Sequence, residues 1–428
     1  NQLSDVSPLA SLTQLTSLDL SGNQLSDVSP LASLTQLTSL SLGSNQLSRF
    51  PKFVLDLQSL RELSLQGNPI EDVPSQALGE QAWDNCLEAV RAHFKDITHD
   101  PDLDREMKLI ILGNGGVGKT SVSKRLFHDD FNPEEESTHA IRLEQRQQKI
   151  DKKNCDLNIW DFGGQDIYHG AHALFLKTHA IFIIVWDKDT EDLKEPYTEN
   201  GLTFEHRPLR YWLDYVRQAS PGSPILVVEN KCDGGMPSQP PCDLEGAQHL
   251  SFSAATGFNR STLRSMLTEV CRQELAKKGQ RMMGIGRRNV KKEIRKQLKS
   301  KQQTITREQF KALCTKEGGK VSNPDELLRF LHNSGTLFYQ EGMFNDQIIL
   351  DQRWAIDAIY AIFDRQKCAV DLLLQRGRFR RSDLDRWIWK DVHSVDEQKL
   401  LISFMVSCGI CFRLESEYGN EDPEYLAP

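Results

Sequence analysis

Leucines recur along the first 70 residues with a period of 22 and then 23 residues. The segment NQLSDVSPLASLTQLTSLDLSG fills residues 1–22, residues 23–44 repeat it almost letter for letter, and residues 45–67 form a looser copy. A period this short predicts a stack of small, similar units, because one unit alone cannot bury its leucines.

The spacing LxxLxxLxLxxNxL within each unit resembles that of the leucine-rich repeat family. It falls in the first unit on Leu12, Leu15, Leu18, Leu20, Asn23 and Leu25, and in the third on Leu57, Leu60, Leu63, Leu65, Asn68 and Ile70. The leucines are expected to form a stacked core, while Asn23, Asn45 and Asn68 satisfy backbone groups at the turns. The polar strand positions form either a surface that binds a protein partner or a solvated strip. Since the pattern opens in mid-unit, further repeats are expected upstream.

After the repeats the apolar pattern changes to that of helices and then of alternating elements. A stripe spaced by four covers Ala82, Cys86, Val90 and Phe94 and predicts a connecting helix. From Met107 short apolar runs alternate with helix-length segments. The runs cover residues 107–112, 156–160, 180–186, 225–230 and 249–252. This alternation predicts an α/β domain in which helices cover both faces of a mostly parallel sheet.

Residues 272–301 are strongly basic, with 12 lysines and arginines against 2 glutamates. Val290, Ile294 and Leu298 form a stripe at helical spacing, so an amphipathic connecting helix is favoured over a nucleic-acid or membrane surface. Residues 303–428 read as mixed α/β, with helices expected over Glu308–Cys314 and Leu327–Asn333 and a strand over Thr336–Tyr339.

Composition narrows the class of protein. A length of 428 residues suggests about three domains. The net charge of −8 argues against a nucleic-acid partner, and no apolar run approaches the roughly 18 residues of a membrane span. The nine cysteines are odd in number and scattered, which indicates a reducing, cytoplasmic compartment.

The segment GNGGVGKT at Gly113–Thr120 matches GxxxxGK[ST], the phosphate-binding loop. It lies between the strand 107–112 and a helix expected over Ser121–Phe127, which is the context that the motif requires. Lys119 would place a charge between the β- and γ-phosphates, and Thr120 would bind Mg²⁺. The nucleotide-binding candidates here are Gly113, Asn114, Gly115, Gly116, Val117, Gly118, Lys119, Thr120 and Ser121.

Two further polar segments follow that fit a switch that responds to the γ-phosphate. In DFGG, Asp161 would hold Mg²⁺ through water and the Gly164 N–H would contact the γ-phosphate. Gln165 comes next and is the catalytic candidate, placed to orient the attacking water. Thr138 is the candidate for a second hydroxyl ligand to Mg²⁺, and Ser137 is its rival.

The segment NKCD after the strand 225–229 is a base-reading motif. The carboxylate of Asp233 can accept hydrogen bonds from guanine N1–H and N2–H, which adenine cannot offer, and this argues against an ATP-dependent enzyme. Asn230 belongs to the same motif, and the stem of Lys231 can pack over the base. Ser253, Ala254 and Ala255 complete the base pocket, with the Ala254 N–H available to guanine O6. The usual lysine of that last motif is replaced by Ala255, so reduced base affinity is expected.

These five motifs occur in the order seen in Ras-like GTPases. With repeats before them and a further segment after them, the chain resembles the Roco family, of a bacterial type without a kinase domain. Its members join leucine-rich repeats, a Ras-of-complex (Roc) GTPase domain and a C-terminal-of-Roc (COR) domain. LRFLHNSGTLFY at Leu328–Tyr339 and IILDQRWAIDAIY at Ile348–Tyr360 look like the COR pattern. The resemblance divides the chain into repeats (1–74), a helical connector (75–106), Roc (107–275), a basic connector (276–302) and the first part of COR (303–428).

The resemblance implies that the chain binds GTP and GDP, hydrolyses GTP slowly with Mg²⁺, and couples its nucleotide state to COR-mediated homodimerisation and to the repeats. About half of a usual COR domain is covered, so the dimerising half is expected to be missing. Arg142, Arg207 and Arg210 are candidates for an arginine that assists hydrolysis, although each also fits an ordinary surface residue. No kinase signature occurs in the sequence. The alternative function is a nucleotide-regulated binding scaffold with negligible turnover.

Overall fold

The computed structural model describes residues 2–427 except 80, 82, 99, 135–140, 164–175, 177, 192–196, 200–201, 235–238, 278–281, 317–320, 340, 343–345, 364–367, 408 and 415–421. The chain forms two compact units. Unit 1 contains Asn1–Arg105, Gln273–Ser300 and Arg307–Leu331, and unit 2 contains Glu106–Arg272, Lys301–Thr306 and His332–Pro428.

The described residues form eighteen strands and eleven α-helices. The strands are β1 (Ser17–Asp19), β2 (Ser39–Ser41), β3 (Glu62–Ser64), β4 (Asp102–Leu103), β5 (Glu106–Leu112), β6 (Ile141–Ile150), β7 (Lys153–Phe162), β8 (Ile181–Trp186), β9 (Tyr197–Glu199), β10 (Leu202–Phe204), β11 (Ile225–Glu229), β12 (Gln248–Ser251), β13 (Met282–Met283), β14 (Thr304–Thr306), β15 (Gln347–Ile349), β16 (Arg378–Arg380), β17 (Phe412–Arg413) and β18 (Glu424–Leu426). The α-helices are α1 (Leu87–Asp96), α2 (Lys119–His128), α3 (Leu209–Ala219), α4 (Arg260–Ala276), α5 (Ile285–Lys299), α6 (Arg307–Lys316), α7 (Pro324–Asn333), α8 (Gln352–Tyr360), α9 (Ala369–Leu374), α10 (Arg381–Leu384) and α11 (Val395–Ser407).

The repeats form a solenoid with a parallel sheet in the order β1-β2-β3. Their leucines build one core, which includes Leu40 and Leu63, as the repeat pattern predicts. The asparagines satisfy turn backbone: Asn45 accepts from the Leu25 N–H at 3.1 Å and donates to the Leu20 carbonyl at 3.0 Å. The first unit departs from the prediction, since Leu12 remains 47% exposed.

Unit 1 continues from the repeats into helices α1, α5, α6 and α7. Helix α1 begins at Leu87, later than the predicted stripe suggests, and Ala82 lies outside the described residues. Helix α5 buries Val290 and Ile294 and leaves Leu298 37% exposed, which confirms the predicted amphipathic helix. Its Arg287 is buried, donates to Asp96 of α1 at 2.7 Å and forms an ion pair with Glu326 of α7. This buried ion triad joins three helices of the unit.

Unit 2 is built on a six-stranded sheet in the order β12-β11-β8-β5-β7-β6. All pairs are parallel except β6 with β7, and β5 and β8 are buried along their whole length. The five apolar runs of the sequence all lie in strands of this sheet, which confirms the predicted fold class. Strand β6 was not predicted, because its sequence IRLEQRQQKI is mostly polar and the strand lies at the edge.

The C-terminal part of unit 2 packs against this sheet through a common hydrophobic core. Ile110 of β5 and Trp160 of β7 share the core with Phe338, Ile356 of α8 and Phe404 of α11. The helices predicted over residues 308–314 and 327–333 are present as α6 and α7, which belong to unit 1. The strand predicted over Thr336–Tyr339 is wrong as an extended strand: only Phe338 forms a bridge, with Ile349.

Within the part of the chain that the structure describes, every helix falls short of the length and apolar character that a membrane span requires.

Candidate functional site

The phosphate-loop motif lies directly after β5, at the carboxyl edge of the sheet. Gly113 has φ +141°, and a Cβ there would lie 2.0 Å from the Val185 carbonyl oxygen. Gly118 has φ +83°, and a Cβ there would lie 2.5 Å from Asn230 Nδ2. Both positions therefore require glycine for backbone conformation and for space. Helix α2 starts at the next residue, so its N-terminal N–H groups face the loop, as anion binding requires.

Lys119 is buried in the loop, and its Nζ donates to the carbonyl oxygens of Gly113 at 3.0 Å and Asn114 at 2.7 Å. Burial lowers the pKa of Lys119 to about 8, and the nearby Asp161 carboxylate acts in the opposite direction. The loop therefore holds one ammonium group at its centre, which is the chemistry that a phosphate needs.

Thr120 and Asp161 meet behind the loop, where the Thr120 hydroxyl donates to Asp161 Oδ2 at 2.6 Å. Both side chains are more than nine-tenths buried. A hydroxyl and a carboxylate side by side are hard oxygen donors of the kind that Mg²⁺ prefers, so this pair fits the ion. The other candidates, Thr138 with its rival Ser137, and Gly164 and Gln165, lie outside the described residues.

Asn230 connects the phosphate loop with the loop after β12. Its Nδ2 donates to the Val117 carbonyl at 2.9 Å, and its Oδ1 accepts from the Ala254 N–H at 3.1 Å. The Ala254 N–H, expected to meet guanine O6, thus donates to Asn230 in this structure. One amide fixes the distance between two loops that come from different ends of the domain.

Asp233 stands next to the same loop, where the Ser253 hydroxyl donates to its Oδ1 at 2.5 Å. Lys231 has φ +63° and its Nζ forms an ion pair with Asp187 Oδ2 at 2.5 Å. The structure therefore brings the NKCD segment and Ser253–Ala255 together at one edge. The Ser253 contact involves Oδ1 of the exposed Asp233 carboxylate, whose two oxygens are both acceptors and suit recognition of paired N–H donors.

Two residues take roles that the motifs did not predict. Asn114 uses its side chain within the protein: Nδ2 donates to the Arg207 carbonyl at 2.8 Å, and Oδ1 accepts from the Arg207 N–H and the Trp212 indole. These partners lie 93 and 98 residues away, so no local pattern could have indicated them. Arg125 of α2 reaches the carbonyls of Ala254 and Ala255.

The remaining loop candidates and the arginines occupy varied environments. Gly116 has φ +75°, Val117 is buried, and Gly115 and Ser121 are partly buried. Arg210 is tied to Asp214 at 3.0 Å and to Glu245 at 2.8 Å, as an ordinary surface residue would be.

Arg207 and Arg142 lie nearer to the motifs. The Arg207 guanidinium lies 5.5 Å from the ring centroid of Tyr211. Arg142 is exposed and pairs with Asp161 in the register of β6 and β7. Of the three candidates, Arg142 therefore lies on the strand beside the DFGG segment.

Sequence profiles of three families match the chain. The family described as Ras of Complex, Roc, domain of DAPkinase matches residues 108–233. The family described as C-terminal of Roc, COR-A domain matches residues 288–428, and Leucine rich repeat matches residues 13–70. The order of these matches is that of the predicted domains.

Two of the curated relatives have Roc and COR in their names. The chain is similar to a Roc-COR-CHAT protease of an unknown prokaryotic organism, with 25% identity over 89% of this chain and 36% of that protein. A second Roc-COR-CHAT protease, from Runella zeae, is 23% identical over 86% of this chain and 40% of its own length. The chain thus spans well under half the length of both relatives. Rab-like protein 2A of Homo sapiens is 31% identical over 31% of this chain and 53% of that protein.

A solved structure shares the fold. The structure of Methanosarcina barkeri Roco2 RocCORdC bound to GDP aligns with a TM-score of 0.60 and 24% identity, over 78% of this chain and 99% of that one. Over the aligned part, this chain therefore has the same fold as that RocCORdC structure.

Proposed function

The chain belongs to the Roco family, and from that premise we propose that it is a GTP-binding and GTP-hydrolysing molecular switch. Hydrolysis of GTP to GDP and phosphate is slow and requires Mg²⁺. The nucleotide state is coupled to COR-mediated homodimerisation and to the repeats, whose polar face is available to a protein partner. The same proposal includes the domain bounds given above and a reducing, cytoplasmic location. The cysteines among the described residues are free thiols, which is consistent with that location.

The observation that carries the proposal is the amide of Asn230, which joins the phosphate loop to the loop after β12 (residues 253–257, the base loop). Its contacts with Val117 at 2.9 Å and Ala254 at 3.1 Å fix the spacing between Lys119 on one side and Asp233 on the other. A phosphate site and a base site held at one fixed separation suit a single purine nucleotide. The carboxylate of Asp233 favours guanine among the purines, because it needs donors and not acceptors.

The residues of the site divide the chemical tasks. Lys119 and the N–H groups of Gly113–Ser121 bind the phosphates, while Thr120 and Asp161, with Thr138, would hold Mg²⁺. When bound, Mg²⁺ supplies positive charge that offsets the charge of the phosphate oxygens. Gln165 would orient the attacking water, and the Gly164 N–H would respond to the γ-phosphate.

Coupling to the COR segment has a physical basis in the common core of unit 2. Trp160 directly precedes Asp161 on β7, and it shares its hydrophobic core with Phe338 and Ile356 of the COR segment. A shift of β7 on hydrolysis would therefore be felt by side chains that lie outside the GTPase domain. This supports a switch whose output passes through the COR segment.

Nucleotide binding to the Lys119→Ala variant tests the proposal. We expect the wild-type chain to bind GDP and GTP, and the variant to lose on the order of a hundredfold or more in affinity, because the loop loses its only buried ammonium among the described residues. Titration calorimetry measures both constants. Lys149→Ala, an exposed lysine of β6, removes the same charge away from the loop and should bind as the wild type does. Wild-type affinity in Lys119→Ala would show that the phosphate-loop assignment is wrong.

A further inference from the structure

Arg125 joins the helix after the phosphate loop to the backbone of the base loop. Its Nε donates to the Ala254 carbonyl at 2.6 Å, and its Nη2 donates to the Ala255 carbonyl at 2.7 Å. A guanidinium that donates two parallel hydrogen bonds to consecutive carbonyls holds a loop in position and in orientation. Lysine has no such fork, so the geometry is particular to arginine.

The base loop is built to receive this side chain. Gly257 has φ +77°, and a Cβ there would lie 3.8 Å from Arg125 Cδ, so the arginine stem passes directly over the glycine. The Ser253 hydroxyl donates to Asp233 Oδ1 at 2.5 Å. The clamped carbonyls and the Asp233 contact therefore belong to the same three-residue segment.

Arg125 is itself held in place from two sides. Arg260 of α4 donates to the Arg125 carbonyl at 2.7 Å and forms an ion pair with Asp129 at 3.0 Å. Asp129 ends helix α2 and also lies 3.3 Å from the Arg125 guanidinium. The Asp129 carboxylate thus holds both arginines, and the Arg125 side chain is only 17% exposed. A side chain restrained in this way loses little further entropy by holding the loop.

Position 255 of the base loop is alanine, where this motif usually has lysine. The role of the loop in recognition must then rest on backbone groups and on Ser253. Backbone groups act in recognition only when their orientation is fixed beforehand.

We propose that Arg125 is a positioning residue for base recognition. It holds the Ala254–Ala255 backbone, and through Ser253 it sets the carboxylate of Asp233 toward the 2-amino group of a guanine. This inference rests on the proposed binding of guanine nucleotides. Its consequence is that guanine selectivity depends on a residue of the phosphate-loop helix that itself meets no part of the base.

The test compares GDP with IDP, which lacks the 2-amino group, in the wild type and in Arg125→Met, Arg125→Lys and Arg264→Met. We expect Arg125→Met to weaken GDP binding by about tenfold and IDP binding by less, so that the preference for GDP shrinks. Arg125→Lys keeps the charge, and its preference for GDP over IDP should lie between those of the wild type and Arg125→Met. Arg264 is an exposed arginine of α4, and its loss should change neither constant.

The outcomes separate positioning from simple destabilisation. A variant that loses GDP and IDP affinity by the same factor, or that keeps the wild-type preference, overturns the inference. If Arg125→Met does not fold, as a thermal unfolding scan would show, the lysine variant decides by the same ratio. A wild-type chain that does not prefer GDP overturns the proposed function instead, and this is visible before any variant is compared.

Discussion

At the scale of single residues, Asp233 is the carboxylate to which we assign base selection. It lies in hydrogen-bond contact with Ser253 at 2.5 Å, which leaves it oriented before any ligand arrives. The sequence indicated Asp233 as a motif position, because the motif is short and local, and its role in base recognition stays a prediction. The sequence could not predict Asn114 or Arg125 in their observed roles, because each acts on backbone groups roughly 90 to 130 residues away.

Replacement of Asp233 by asparagine should reverse the preference of the site for GDP over XDP. An amide donates where the carboxylate accepts, so Asp233→Asn should bind GDP more weakly by on the order of a hundredfold and XDP, which has a 2-oxo group, more tightly. Competition of GDP and XDP against a fluorescent nucleotide measures the ratio. An unchanged preference for GDP would remove Asp233 from base recognition.

The buried side chain of His93 makes the free energy of unfolding depend on pH. Burial, with a smaller contribution from the Arg287 charge, lowers the pKa of His93 to about 3. Between pH 6.5 and pH 3 the unfolded chain therefore binds a proton that the folded chain does not, and stability falls as the pH falls through this window. At pH 5 the loss from this group is about 2 kcal/mol.

His93→Gln removes this titration. Urea unfolding of the wild type and the variant at pH 7 and pH 5 should show a smaller pH-dependent loss in the variant, by about 2 kcal/mol. Equal losses in both proteins would mean that His93 is not held neutral by the fold.

At the scale of elements, helix–helix contacts in unit 1 depend on a buried charge. Arg287 lies between Asp96 and Glu326, all three at most 4% exposed at the side chain. The sequence predicted helix α5 from its apolar stripe but could not predict this triad, because a basic run gives no sign of which arginine turns inward. Strand β6 was missed for the related reason that an edge strand carries no apolar period.

Replacement of Arg287 by methionine leaves two carboxylates buried without their cation. Arg287→Met should cost about 3–5 kcal/mol of unfolding free energy, since truncating one partner of a buried ion pair strands the others. Arg288→Met is the matched control, because the neighbouring Arg288 is 28% exposed and pairs with the exposed Asp100 and Asp102, which predicts at most about 1 kcal/mol. Equal costs in urea unfolding would refute a special role for the triad.

At the scale of the whole molecule, the order of domains was predictable and their packing was not. Repeat period, strand–helix alternation and motif order each leave a local signal, and the family matches follow the same order. The two compact units do not follow that order, since unit 1 gathers the repeats with helices from both sides of the basic segment. Contacts between distant segments decide this grouping, and a single sequence does not reveal them.

Phosphate release is the most direct measure of the GTP hydrolysis that we propose for this chain. GTP and ATP are compared over a wide range of protein concentrations, with Lys119→Ala as the blank. We expect slow release from GTP alone, absent in the blank, with turnover per chain rising as the protein concentration rises. Release from ATP at the same rate, or no release from GTP above the blank at any concentration, would contradict this proposal, and the second result would favour a binding scaffold.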